Sequence, residues 1–63
     1  MYYAILVIGY GKRSRYTLRK VVNDGLTVPV NYACYRSIEE AKQAAADLGI
    51  EIEKIGDAYQ ILP

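Results

Sequence analysis

The sequence of 63 residues predicts one domain, spanning 1–63, close to the lower size limit for folding around a single core. With 52% hydrophobic and 24% charged residues, its composition is that of a globular protein and not of a disordered tail. No apolar run is long enough to span a bilayer, and no signal-peptide pattern is present. We therefore expect a soluble, cytoplasmic protein that makes no membrane contact.

The chain has one cysteine, Cys34, and no histidine, which limits the chemistry that it can support. One cysteine excludes an internal disulfide. Zinc sites and nucleophile–histidine catalysis are disfavoured because their usual ligands and bases are missing. The sequence therefore predicts a protein that is not an enzyme and that uses no metal and no cofactor.

The charges are unevenly distributed, although the net charge is only +1. Residues 1–36 contain six basic and one acidic residue, whereas residues 37–63 contain two basic and six acidic residues. Five of the eight basic residues lie within residues 10–20. Because such a distribution orients a charged partner, the basic segment is the first candidate binding region.

Two strands are predicted at the start of the chain. Residues 2–8 are apolar almost throughout, which is typical of a central strand or of an edge that pairs with another chain. Glycines follow, and residues 15–22 then alternate between two faces. The inner face is expected to carry Tyr16, Leu18 and Val22, and the outer face Arg15, Thr17 and Arg19.

A third strand is predicted over residues 26–35, after a tight turn at Asn23-Asp24-Gly25. Pro29 cannot donate a ladder hydrogen bond, so this strand is expected at a sheet edge or with a bulge. Its inward row is expected to comprise Val28, Val30, Tyr32 and Cys34.

The helix is the clearest prediction in the chain. Ser37 and Glu40 have the spacing of a capping box, and Gly49 supplies the left-handed residue after the helix, which is expected to run to Leu48. Its apolar stripe is expected to comprise Ile38, Ala41, Ala45 and Leu48. Two further strands, from residue 50 and over residues 58–62, complete an α+β fold of order β-β-β-α-β-β, with one helix packed on one face of an antiparallel sheet.

A glycine-rich turn raises the question of nucleotide binding. Gly9-Tyr10-Gly11-Lys12 follows an apolar strand, as in phosphate-binding loops. The third glycine of a dinucleotide motif is missing at Ser14, and the following residues alternate as in a strand. Hairpin glycines are therefore the better interpretation.

The basic hairpin is the leading candidate site, because a two-stranded ribbon fits a DNA major groove and arginines reach phosphates. Tyrosines could instead stack on single-stranded bases, so DNA and RNA both remain open as partners. A solvated strand face that discourages aggregation is the simpler alternative. The candidate nucleic-acid-binding residues are Tyr10, Lys12, Arg13, Arg15, Thr17 and Arg19.

The segment Tyr35-Arg36-Ser37-Ile38-Glu39-Glu40-Ala41 follows three predicted strands, the second of which bears arginines. Over residues 2–48 this pattern resembles AP2-type and integrase arm-binding DNA-binding domains. The resemblance implies a three-stranded sheet that docks in the major groove, with a supporting helix. It also implies that Arg13, Arg15 and Arg19, with Thr17 beside them, contact DNA.

The seven tyrosines, in a chain without phenylalanine or tryptophan, suggest another function. Tyrosine combines apolar area with a polar tip, which suits protein interfaces. The alternative hypothesis is therefore a protein-binding adaptor or inhibitor, or a homodimer, that uses strand edges and surface tyrosines. Its candidate interface residues are Tyr2, Tyr35 and Tyr59.

Overall fold

The computed structural model describes residues 1–22 and 25–61. Its elements confirm the predicted α+β class, with a four-stranded sheet and two helices. In chain order they are β1 (Tyr2–Ile8), a 3-10 turn (Gly11–Arg13), β2 (Arg15–Val21), β3 (Thr27–Pro29), α1 (Ile38–Asp47), β4 (Ile52–Gly56) and α2 (Ala58–Ile61). The turn predicted at Asn23-Asp24 lies outside the described residues.

The sheet is mixed, so the prediction of a purely antiparallel sheet is wrong. The strand order is β3-β2-β1-β4, and β1 pairs antiparallel with β2 and parallel with β4. The parallel pairing is possible because α1 lies between β3 and β4 in the chain and supplies the long connection that parallel strands need. Of the two positions left open for β1, the structure shows the central one.

The third strand is shorter than predicted, and of its predicted inward row only Val30 packs against the core, whereas Val28 is exposed. β3 ends at Pro29, and it lies at a sheet edge, as proline requires. Beyond it the chain leaves the sheet through a local turn, in which the Ala33 N–H donates to Asn31 Oδ1 at 3.2 Å. Without a strand to orient them, Tyr32 and Cys34 are exposed, and Cys34 is not a core residue.

The last predicted strand is a helix instead. Asp57 and Gln60 form a reciprocal cap: the Asp57 N–H donates to Gln60 Oε1 at 2.9 Å, and the Gln60 N–H donates to Asp57 Oδ1 at 3.1 Å. These bonds start α2 at Ala58. The order β-β-β-α-β-β is therefore corrected to β-β-β-α-β-α.

The caps of α1 are those that the sequence predicts. The Glu40 N–H donates to Ser37 Oγ at 3.1 Å, and Glu40 Oε2 accepts from the Arg36 N–H. At the other end, the Gly49 and Ile50 N–H groups donate to the carbonyls of Ala46 and Ala45, the two bonds of a Schellman motif.

The apolar stripe of α1 is only partly buried. Ala41 and Ala45 are fully buried against the sheet, and Ile38 is half-buried. Leu48 is 54% exposed and lies just after the last residue of α1, where the Schellman motif ends the helix. In the part of the chain that the structure describes, no helix has the length and apolar character needed to cross a bilayer.

Both faces of the sheet are covered, but unequally. One face, here called the α1 face, packs Ile5 and Leu18 against Ala41 and Ala45. The opposite face, here called the α2 face, packs Ala4 and Val21 against Ile61, with Tyr2 and Leu6 around them. Burial of neighbouring residues on opposite faces of β1 explains why that strand is apolar almost throughout. Since α2 has four residues, it covers only part of its face.

Candidate nucleic-acid interface

The connection between β1 and β2 is a fixed turn. Gly9 has φ +88°, and a Cβ atom there would lie 2.9 Å from the Arg13 carbonyl oxygen. Gly11 has φ +55°, which L residues rarely adopt. Two backbone bonds close the turn, Arg13 N–H to Tyr10 O at 3.0 Å and Ser14 N–H to Gly11 O at 3.1 Å. A strand follows, which agrees with hairpin glycines and not with a nucleotide loop.

This turn presents a group of exposed residues that we call the basic tip: Tyr10, Lys12, Arg13 and Arg15. The Arg15 guanidinium donates to the Ser14 carbonyl oxygen at 2.9 Å, which holds that side chain near the turn. Within residues 1–22 and 25–61, no carboxylate oxygen lies within 4.0 Å of a basic nitrogen. Because Lys12, Arg13 and Arg15 are exposed, an anionic partner can reach their cations.

Thr17 and Arg19 lie further along β2 and are half-buried. Arg19 is bound to the neighbouring strand: its Nη2 donates to Thr27 Oγ1 at 2.8 Å and to the Thr27 carbonyl oxygen at 3.3 Å. Thr17 Oγ1 makes a long bond of 3.5 Å to the Leu6 carbonyl oxygen. These two predicted contact residues are thus less available than the basic tip.

Arg15, Thr17 and Arg19 share one side of the sheet. Leu18 contacts α1, and side chains alternate along a strand, so these residues lie on the α2 face. This face is only partly covered next to the turn, where Ile8 is 51% exposed. The basic tip therefore continues into an accessible part of the α2 face.

The tyrosines of the protein-binding hypothesis occupy different environments. Tyr2 is half-buried; its hydroxyl donates to the Ile61 carbonyl oxygen, and the Lys54 ammonium lies 5.0 Å from its ring centroid. Tyr35 is also half-buried and packs against the core of the α1 face. Tyr59, in contrast, is 95% exposed. Two of the three tyrosines therefore have structural roles.

A solvent-open hollow of about 410 Å³ lies beside the basic tip, and we call it the terminal hollow. Its lining includes Gly9, Tyr10, Asp57, Tyr59 and Gln60. β1 and β4 are parallel neighbours, so the residues that follow the two strands lie at the same end of the sheet, where they form this hollow. Its volume lies within the range of about 300–1,000 Å³ that is typical of ligand pockets.

Sequence reasoning missed three residues of this region. Asp57 and Gln60 could have been found from the Asp-x-x-Gln spacing, which is that of a capping box. Arg36 is exposed and follows Tyr35, whose backbone pairs with Tyr16 at the start of β2. No sequence signal predicts this pairing, because it depends on where the chain returns after leaving the sheet.

The region has the features of a binding surface: exposed cations, exposed aromatic rings and an adjacent concavity. In the described part of the chain, no group of three acidic, cysteine or histidine residues is placed to hold a metal ion. Comparison of the chain with protein-family models, curated proteins and solved structures finds no match. The site must therefore be interpreted from its own geometry.

Proposed function

We propose that this protein is a non-enzymatic nucleic-acid-binding module that holds the phosphate backbone with its basic tip. The observation that carries the proposal is the exposure of Lys12, Arg13 and Arg15 around a fixed turn, with no carboxylate partner among the described residues. Phosphate binding by such cations releases counterions and does not depend on base sequence.

The fixed turn supports this function. Gly9 and Gly11 adopt positive φ angles, and two backbone bonds close the segment between them and Ser14. The basic residues are therefore displayed on an ordered backbone, so that less conformational entropy is lost on binding than with a disordered loop.

The experiment is fluorescence anisotropy of labelled single-stranded and duplex DNA at about 50 and 200 mM salt. Three phosphate contacts predict an affinity loss of about 20- to 40-fold over this range, from slopes of about 0.7 to 0.9 per contact. The variant Lys12→Ala/Arg13→Ala is expected to bind more weakly and to reduce the salt slope by about 1.4 to 1.8.

The matched control is Lys42→Ala/Lys54→Ala, which also removes two exposed positive charges but leaves the basic tip intact. It is expected to retain both the affinity and the salt slope of the parent protein, apart from a small change through net charge. Absence of binding to either DNA form at the lower salt concentration, or an equal loss in both double variants, would contradict the proposal.

A second candidate function, protein binding, is favoured by apolar residues near the β3 edge. Leu26, Val28 and Tyr32 are all exposed there, and β3 has one unpaired side in the sheet of the described residues. If this edge pairs two copies, sedimentation will show a concentration-dependent dimer that Val28→Lys prevents and that salt hardly affects. A monomer at all concentrations would leave this edge without a role in self-association.

A further inference from the structure

We infer that the terminal hollow receives one base of a single-stranded nucleic acid, stacked against Tyr10 and Tyr59, while neighbouring phosphates bind the basic tip. This inference rests on the proposed function and specifies it further. It specifies that single-stranded nucleic acid is preferred over duplexes. It also adds a contact to a base, which phosphate binding does not require.

Two aromatic rings at the hollow are not explained by the fold. Tyr10 is 93% exposed and Tyr59 is 95% exposed, so neither ring contributes to the core, yet both line the same hollow. Exposed tyrosine rings are stacking platforms for unpaired bases, and they accept any base because every base has an aromatic face.

The polar groups of the hollow suit a base better than a phosphate. The Asp57 carboxylate lines the hollow and would repel an anionic phosphate, but it accepts hydrogen bonds from base N–H groups. Only its Oδ1 is used, as an acceptor from the Gln60 N–H. Gln60 Oε1 is occupied by the Asp57 N–H, whereas its Nε2 donates to no group in the described ranges. Together these two side chains offer an acceptor and a donor to a base edge.

Tyr10 connects the hollow to the phosphate-binding surface. It lines the hollow, and it also begins the turn that carries Lys12 and Arg13. A base in the hollow therefore places its own backbone beside the cations. In a duplex the bases are stacked and paired in the interior, so that this combination of contacts is open only to unpaired strands.

The test compares two labelled strands of about 12 nucleotides, a length within the site sizes of about 4–16 that single-strand-binding domains cover. One is oligothymidylate, and the other is an abasic strand with the same number of phosphates. Anisotropy is measured at about 50 mM salt. Oligothymidylate is expected to bind about tenfold more tightly than the abasic strand, in line with the stacking contribution of a base.

Single substitutions assign this difference to the hollow. Tyr59→Ala is expected to weaken oligothymidylate binding several-fold and to leave abasic binding unchanged. Tyr10→Ala is also expected to weaken oligothymidylate binding several-fold. Tyr59→Phe keeps the ring and is expected to keep the affinity. Tyr32→Ala is the matched control, because Tyr32 is 96% exposed but lies after β3, at the opposite edge of the sheet from β4.

The outcomes separate this inference from the proposed function. Equal binding of both strands, in a salt-dependent manner, would overturn base stacking and leave phosphate binding intact. A loss in Tyr32→Ala as large as in Tyr59→Ala would also overturn it. Failure of both strands to bind would remove the proposed function and the inference together.

Discussion

Asp57 and Gln60 cap each other across the start of α2, each donating its backbone N–H to the side chain of the other. The same two side chains line the terminal hollow. The cap therefore has two roles, since the bonds that begin the helix also hold a carboxylate and an amide at the proposed base-binding site.

Loss of the Asp57 side chain is expected to destabilise the protein. In Asp57→Ala the Gln60 N–H loses its side-chain acceptor and keeps only the backbone carbonyl oxygen of residue 57, and N-cap substitutions of this type cost about 1 kcal/mol. Asp57→Asn retains an acceptor oxygen and is the control, with an expected free energy of unfolding close to that of the parent. Urea unfolding followed by circular dichroism measures both. An equally large loss in the asparagine variant would show that charge, and not capping, stabilises this end.

The two glycines of the basic tip are expected to respond differently to alanine. In Gly9→Ala the new Cβ would meet the Arg13 carbonyl oxygen at 2.9 Å, in addition to the strain of φ +88°. In Gly11→Ala nothing lies within 4 Å of the Cβ, so only the strain of φ +55° remains, at about 1–2 kcal/mol. Gly9→Ala should therefore be the more destabilising and should weaken DNA binding more, because it displaces Arg13. Equal effects in unfolding and anisotropy measurements would contradict this.

Arg15 and Arg19 both lie on the α2 face, but Arg15 is expected to contribute to DNA binding and Arg19 to stability. Arg19→Ala removes the bonds to Thr27 and should lower the free energy of unfolding by about 1 kcal/mol, with little change in the salt slope of DNA binding. Arg15→Ala should leave stability nearly unchanged and reduce the slope by about 0.7 to 0.9. Denaturation and anisotropy on the same samples test both. A large slope change in Arg19→Ala without loss of stability would reverse the assignment.

Alanine substitutions of Leu18 and Leu48 are expected to differ in their effect on stability, because only Leu18 lies in the core. Leu18 of β2 is fully buried against Ile5 and α1, so Leu18→Ala is expected to cost about 2–5 kcal/mol, enough to unfold much of a protein this small. Leu48 is 54% exposed, and Leu48→Ala is expected to cost less than about 1 kcal/mol. Thermal unfolding compares them directly. A severe loss in Leu48→Ala would show that the end of α1 packs against the sheet after all.

Local signals account for the parts of the fold that the sequence predicts. Ser37, Glu40 and Gly49 each satisfy backbone groups within a few residues, and so the limits of α1 could be read from spacing alone. The alternation around Leu18 likewise specifies one buried face of β2. The exposed cations of the basic tip follow from the same local turn chemistry.

The parts that could not be predicted depend on partners distant in the chain. No pattern in the residues of β4 predicts that this strand pairs with β1, or that the pairing is parallel. The helix over residues 58–61 differs in this respect, because its cap between Asp57 and Gln60 is local and its spacing could have been recognised, although four residues also fit the period of a strand. The terminal hollow depends on both features and was therefore not foreseen.

The parallel pairing also has a consequence for the order in which the molecule assembles. Ile8 pairs with Arg15 across a short turn, whereas Tyr3 pairs with Ile52, from which it is separated by most of the chain. Closure of short loops costs less entropy, so the β1–β2 hairpin is expected to form early and β4 to dock late. Transient undocking of β4 and α2 would then abolish the hollow while the hairpin still carried its cations. Under the proposed function, the molecule with β4 and α2 undocked would still bind phosphates but would no longer bind a base.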